Sequence, residues 1–135
     1  MIKTVFAIWL CLTALTAAPA LGADETIRWM DYVQGKALAR SLNKTAIVYF
    51  HTAWCPSCKK MEAETFPHPE VVRVVNERFV AIRVDADTQQ DIARAYGVNG
   101  VPDLWLIHPD ATPIGNVTGF IPANRLLKIL QYQRR

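Results

Sequence analysis

The stretch Trp54-Cys55-Pro56-Ser57-Cys58-Lys59-Lys60 decides how the rest of this chain is read. Before it runs Thr45-Ala-Ile-Val-Tyr-Phe-His51, an apolar segment with the composition of a buried strand. After it, residues 59–66 read as a helix. Two cysteines three apart at a strand-to-helix junction can close a small ring as a disulfide and reopen as a dithiol. Cys55 falls at the helix start, where unpaired backbone N–H groups and the positive end of the dipole favour an anion. A thiolate there is stabilised, so its pKa is expected below the free-cysteine value of about 8.5. Pro56 suits the first turn, because its missing N–H would have been unpaired anyway. Cys58 follows almost one turn later on the same face. Cys55 is therefore the candidate nucleophile and Cys58 the candidate resolving thiol.

Two other uses of the pair compete. A zinc site needs four ligands, yet there is no second cysteine pair, and His51, His68 and His108 are scattered singly. A purely structural disulfide is possible, but so short a loop removes little unfolded-state entropy.

The chain has 135 residues and a formal net charge of +3. Such a charge is too small and too dispersed to suggest nucleic acid as a partner. Residues 1–22 have the layout of a cleaved signal peptide: Lys3, an apolar run over 5–15, then the small-residue zone Ala18-Pro-Ala-Leu-Gly-Ala23. A permanent anchor is the rival reading, although the apolar core is short for a span of about 20 residues. Removal of this segment takes Cys11 with it and leaves the Cys55/Cys58 pair in a domain over 23–135. Export would put that pair outside the cytosol, where disulfides form and persist.

The mature part is expected to alternate strands and helices. A short strand is expected at 26–30, then a helix capped by Asp31 and running to Leu42, with Val33, Ala37, Leu38 and Leu42 on its inward face. Strand 45–51 puts Tyr49 and His51 on one face and Val48 and Phe50 on the other. In the helix after Cys55, Met61, Thr65 and Phe66 continue the inward stripe, and Glu62 lies on it as the one carboxylate. Glu62 has two readings. Partial burial would raise its pKa and let it take a proton from Cys58; otherwise it pairs with Lys59 or an arginine at the helix edge. Phe66-Pro-His-Pro69 breaks the helix, which resumes over 70–78. A near-continuous apolar strand spans 79–85 and reads as buried and parallel. A helix capped by Asp87 or Thr88 runs to Tyr96, with Ile92, Ala95 and Tyr96 inward. An antiparallel hairpin over 103–108 and 113–118 and a final helix over 122–131 complete the order. The fold class is α/β, with helices on both faces of a central mixed sheet.

Trp54-Cys-x-x-Cys-Lys59, Tyr96-Gly-Val-x-Gly-Val-Pro102 and the late Gly119 resemble the thioredoxin superfamily in order and spacing, over residues 27–130. Glu62, Thr65-Phe66-x-x-Pro69-x-Val71 and Val117-Thr-Gly-Phe120 are similar to the periplasmic C-terminal domain of the transmembrane electron-transfer protein DsbD. The resemblance implies the thioredoxin fold and a cis peptide at Val101-Pro102 that faces the dithiol and pairs with an extended substrate. It also implies that Trp54 flanks the nucleophile and that Gly119 leaves room for a partner. One departure stands out. Where the family usually has a buried aspartate on the strand before the motif, this chain has Tyr49, and the usual basic residue on the neighbouring strand is Arg83. A buried tyrosine, with an unperturbed pKa of about 10, is no base near neutral pH.

The expectation is an exported, periplasmic, monomeric thiol–disulfide oxidoreductase with no cofactor beyond its own dithiol and no metal. Protein disulfides are its expected substrates, and the resemblance to DsbD favours a reductase supplied by a membrane electron donor of that type. A disulfide oxidase or isomerase is the rival within the fold. A binding or chaperone module with a passive Cys55–Cys58 disulfide is the rival from another class.

Overall fold

The computed structural model describes residues 26–133. The signal peptide expected over 1–22, its cleavage zone over 18–23 and Cys11 lie outside the described residues. The elements in chain order are β1 (Trp29–Met30), α1 (Tyr32–Leu42), β2 (Ala46–His51) and α2 (Pro56–Lys60), which continues as a π-helical turn, Met61–Thr65. Then come α3 (Pro69–Arg78), β3 (Val80–Asp85), α4 (Gln90–Ala95), β4 (Asp103–Ile107), β5 (Pro113–Thr118) and α5 (Ala123–Tyr132).

The five strands form one sheet in the order β1-β3-β2-β4-β5. β3 runs parallel to both β1 and β2, while β4 is antiparallel to both β2 and β5. This mixed sheet is the expected architecture. Strand β3 reads as apolar because it has neighbours on both sides and is covered on both faces. On one face Ile47, Tyr49, Ala81, Leu104 and Leu106 meet Cys58 and Met61 together with α3 and α5. On the other, Val48, Phe50, Ile82, Val84 and Ile107 meet Ala39 of α1 and Ala93 of α4. The alternation read from β2 is therefore observed, with Tyr49 under the dithiol-bearing helix.

Asp31 caps α1 as expected, its Oδ1 accepting the Gln34 N–H at 3.0 Å, and Asn43 ends the helix in the left-handed region at φ 51°. The inward face is not the expected one. Val33, Ala37, Leu38 and Leu42 are all exposed, whereas Gly35 and Ala39 are buried. The smallest residues face in because α1 lies hard against β3: a Cβ at Gly35 would overlap Cγ1 and Cδ1 of Ile82. Periodicity locates an apolar stripe, but the distance of closest approach selects which residues fit beneath the helix. Helix α4 also differs. It starts at Gln90 without a side-chain cap, because Asp85 Oδ1 takes the N–H groups of Asp87 at 2.9 Å and Thr88 at 3.4 Å and builds the preceding turn. Ala93, rather than Ala95, is its buried alanine.

Gly35→Ala should therefore destabilise the protein despite the better helix propensity of alanine. Overpacking against Ile82 is expected to cost about 1–3 kcal/mol, read as a lower denaturant midpoint at unchanged m-value.

Candidate active site

Strand β2 ends at His51, and the chain passes through Thr52 and Trp54 to Cys55, the N-cap of α2. Extended backbone at Cys55 (φ −78°, ψ 110°) and Pro56 at the first helical position start the helix. The Cys58 N–H donates to Cys55 Sγ at 3.1 Å, so the sulfur performs the capping role that an oxygen usually has. Cys55 and Cys58 are joined as a disulfide with Cα atoms 5.2 Å apart. Cys58 is fully enclosed, whereas Cys55 keeps 3% of its surface.

Beneath the dithiol lies a polar cluster that strand register assembles. Tyr49 pairs with Arg83 across β2 and β3, and His51 pairs with Asp85. Arg83 Nη2 donates to Glu62 Oε1 at 2.7 Å, and Arg83 Nε donates to His51 Nε2 at 2.9 Å. The Tyr49 hydroxyl lies 3.5 Å from Glu62 Oε1 and 3.5 Å from the Cys58 carbonyl. Its ring stacks on His51 and meets Phe66 edge-on, with centroids 5.5 Å and 4.8 Å away. Burial pushes the Tyr49 phenol well above its ordinary pKa, helped by the negative charge of Glu62. Burial, with the Arg83 charge second, holds His51 below the ordinary histidine value. Glu62 thus pairs with an arginine, as one of its two readings had it, and the same carboxylate also meets Tyr49. His51 was not singled out as a member of the site, because cross-strand register is not visible in one sequence.

The remaining candidate residues lie around the end of β2. Asp103 pairs with Phe50, so Pro102 borders the segment leading to Cys55. The Val101–Pro102 peptide is cis. Gly119, at φ 93°, donates its N–H to the Pro102 carbonyl at 2.7 Å and ties the two loops together. Thr65 Oγ1 donates to the Ile121 carbonyl at 2.6 Å, fixing the loop after Gly119 to the π-helical turn. Trp54 is 68% exposed, and its Nε1–H donates to Asp87 Oδ2 at 2.9 Å. Asp103, also unforeseen, is buried and accepts from Trp105, Asn116 and Thr118 at 2.9–3.1 Å. Among the described residues, no group of three or more His, Cys, Asp or Glu side chains could hold a metal ion.

A family model described as a thioredoxin-like domain matches residues 34–134. The chain belongs to the thioredoxin-like family. The thiol:disulfide interchange protein DsbD of Neisseria meningitidis serogroup B is 33% identical over 101 residues, which are 73% of this chain and 17% of that protein. The chain thus spans about a sixth of the length of the DsbD relatives it matches. The solution structure of a thioredoxin from Thermus thermophilus superposes with TM-score 0.73 at 33% identity, covering 80% of this chain and 87% of that one. The oxidised C-terminal domain of Neisseria meningitidis DsbD superposes with TM-score 0.64 at 29% identity, covering 76% and 91%. The closed Cys-x-x-Cys pair thus sits at the strand-to-helix junction of a thioredoxin-like domain, an arrangement that supports thiol–disulfide exchange.

The lowered His51 pKa has a consequence for stability. Below about 6.5 the unfolded chain binds a proton that folded His51 resists. The contribution of neutral His51 is therefore complete above that pH and is lost as pH falls towards the folded value. His51→Gln keeps an acceptor for Arg83 but does not titrate. Urea unfolding between pH 5 and pH 7.5 should show its stability falling less steeply towards low pH, by up to one proton.

Proposed function

We propose that this protein is an exported thiol–disulfide oxidoreductase that reduces protein disulfides in the periplasm. The observation that carries the thiol–disulfide chemistry is the Cys55–Cys58 disulfide at the N-cap, and the likeness to DsbD supports the reducing direction. In the reduced state the Cys58 N–H, directed at Cys55 Sγ, would stabilise a Cys55 thiolate. That thiolate attacks one sulfur of the substrate disulfide, forming a mixed disulfide and releasing the other sulfur as a thiolate. Cys58 then loses its proton and attacks Cys55 Sγ. The Cys55–Cys58 bond forms, the mixed disulfide breaks, and the electron pair leaves with the substrate sulfur. Two electrons have passed from the protein to the substrate.

Trp54, Val101, Pro102 and Gly119 are the proposed substrate-binding residues. Trp54 offers an exposed ring beside Cys55, and Gly119 leaves space beside Pro102. Glu62 is the proposed acceptor of the Cys58 proton, since the carboxylate usual at position 49 is absent. The partners proposed are protein disulfides and a membrane electron donor of the DsbD type. The likeness to the thiol:disulfide interchange protein DsbD supports both. Export rests on the leader-like residues 1–22, and among the described residues no helix is long and apolar enough to cross a membrane. A disulfide oxidase is the second reading, favoured by the N–H contact to Sγ: stabilising the reduced thiolate raises the potential.

Four measurements test this account. The Cys55/Cys58 couple should equilibrate near the thioredoxin value of about −270 mV, whereas a value near −120 mV would select the oxidant reading. Alkylation of the reduced protein at pH 6–7 should label Cys55 well before Cys58, and Cys58→Ala should trap mixed disulfides through Cys55. A passive pair would trap none. Glu62→Gln should slow resolution about 10²-fold in single-turnover kinetics while first attack is nearly unchanged; an unaltered rate would leave Glu62 as a structural partner of Arg83.

A further inference from the structure

Between β5 and α5 the chain passes through Gly119-Phe120-Ile121-Pro122, outside any strand or helix. This loop is fixed at successive residues. The Gly119 N–H donates to the Pro102 carbonyl at 2.7 Å. The Lys60 ammonium stands over the Phe120 ring, 4.5 Å from its centroid. The Ile121 carbonyl accepts from Thr65 Oγ1 at 2.6 Å. Lys60 and Thr65 both belong to the helix that carries Cys58, formed by α2 and its π-helical continuation.

A helical threonine can turn its hydroxyl back on its own helix, but Thr65 donates across 56 positions to the loop. Thr65 and Ile121 are both fully buried. Without that hydroxyl the Ile121 carbonyl would lose its partner where water does not reach. A buried polar group left in that state is costly, and the loop would shift to recover a partner. The shift would be felt beside the dithiol, because Gly119 is tied to Pro102, and Pro102 borders the segment leading to Cys55. One continuous helix thus carries Cys58 and, two turns further on, the group that holds this loop.

We propose that Thr65 is a positioning residue for protein substrates, its hydroxyl setting where the 119–121 loop presents Gly119 and Pro102 to an extended chain. The proposal rests on the reading of those two residues as substrate-binding and adds the group that holds them. Thr65, enclosed in the core, does not meet substrate itself. Its effect is on affinity for substrates long enough to lie along the loop. The exchange chemistry stays with Cys55 and Cys58. A small disulfide, which reaches Cys55 without crossing the loop, does not depend on Thr65.

Thr65→Val keeps the shape and removes the hydroxyl, while Thr65→Ser keeps the hydroxyl. With dithiothreitol as electron donor, Thr65→Val should reduce a protein disulfide with KM raised roughly tenfold and kcat within about twofold of native. Thr65→Ser should restore KM. Reduction of hydroxyethyl disulfide and the Cys55/Cys58 potential should be native in both variants. Phe120→Ala reports on the loop independently and should also raise KM for the protein disulfide. Raised KM in Phe120→Ala beside native KM in Thr65→Val overturns the proposal and leaves the substrate reading of the loop in place. Native KM in both overturns that reading and the proposal with it. A KM that Thr65→Ser leaves raised shows packing rather than the hydroxyl at work, and overturns the proposal. So does a fall in kcat on both the protein and the small disulfide, which marks a defect in the dithiol helix. If Thr65→Val folds poorly, Thr65→Ala takes its place, since it differs from Thr65→Ser only by the hydroxyl; equal KM in those two variants overturns the proposal.

Discussion

Parallel pairing of β2 with β3, from Ala46 beside Val80 to His51 beside Asp85, is the constraint on which the site depends. It puts Tyr49 next to Arg83 and delivers both to the face covered by α2 and its π-helical continuation. A slip of one residue would exchange the two faces of β2. Phe50 would then sit under the dithiol, and Tyr49 would face α1 and α4. The apolar residues on both faces, Ile47 with Tyr49 and Val48 with Phe50, make that slip costly. The chemistry at Cys55 therefore inherits its geometry from a register set by burial several residues away.

Much of this was legible in the sequence. The run before Trp54 and the cysteine spacing located the strand-to-helix junction, and β5 matches the expected 113–118 span. What escaped were quantities that a single sequence does not contain. The inward face of α1 depends on how closely that helix approaches Ile82, which selects Gly35 and Ala39 over larger neighbours. The start of α4 depends on Asp85 spending its side chain on a turn. The roles of His51 and Asp103 depend on partners 32 and 13–15 positions away. Local periodicity cannot register such distant pairings.

Tyr49 sets the electrostatics beneath the dithiol. A buried aspartate carries its charge into the core and must be desolvated. Here the negative charge is on Glu62, at the edge of the cluster and one-third exposed, with Arg83 against it. The interior position holds a neutral hydroxyl instead. Charge is kept near water, while hydrogen-bonding capacity is kept near Cys58.

The sheet edges have a consequence for behaviour at high concentration. Exposed strand edges are templates on which another chain can extend the sheet. β1 offers only two residues, too few for a stable ladder. At the opposite edge β5 opens with Pro113, which has no N–H to donate, and its pairing with β4 is irregular between Leu106 and Ile107. Both margins are blunt. Lateral growth into fibrils or strand-swapped pairs is thus discouraged by the backbone itself, independently of the surface charge.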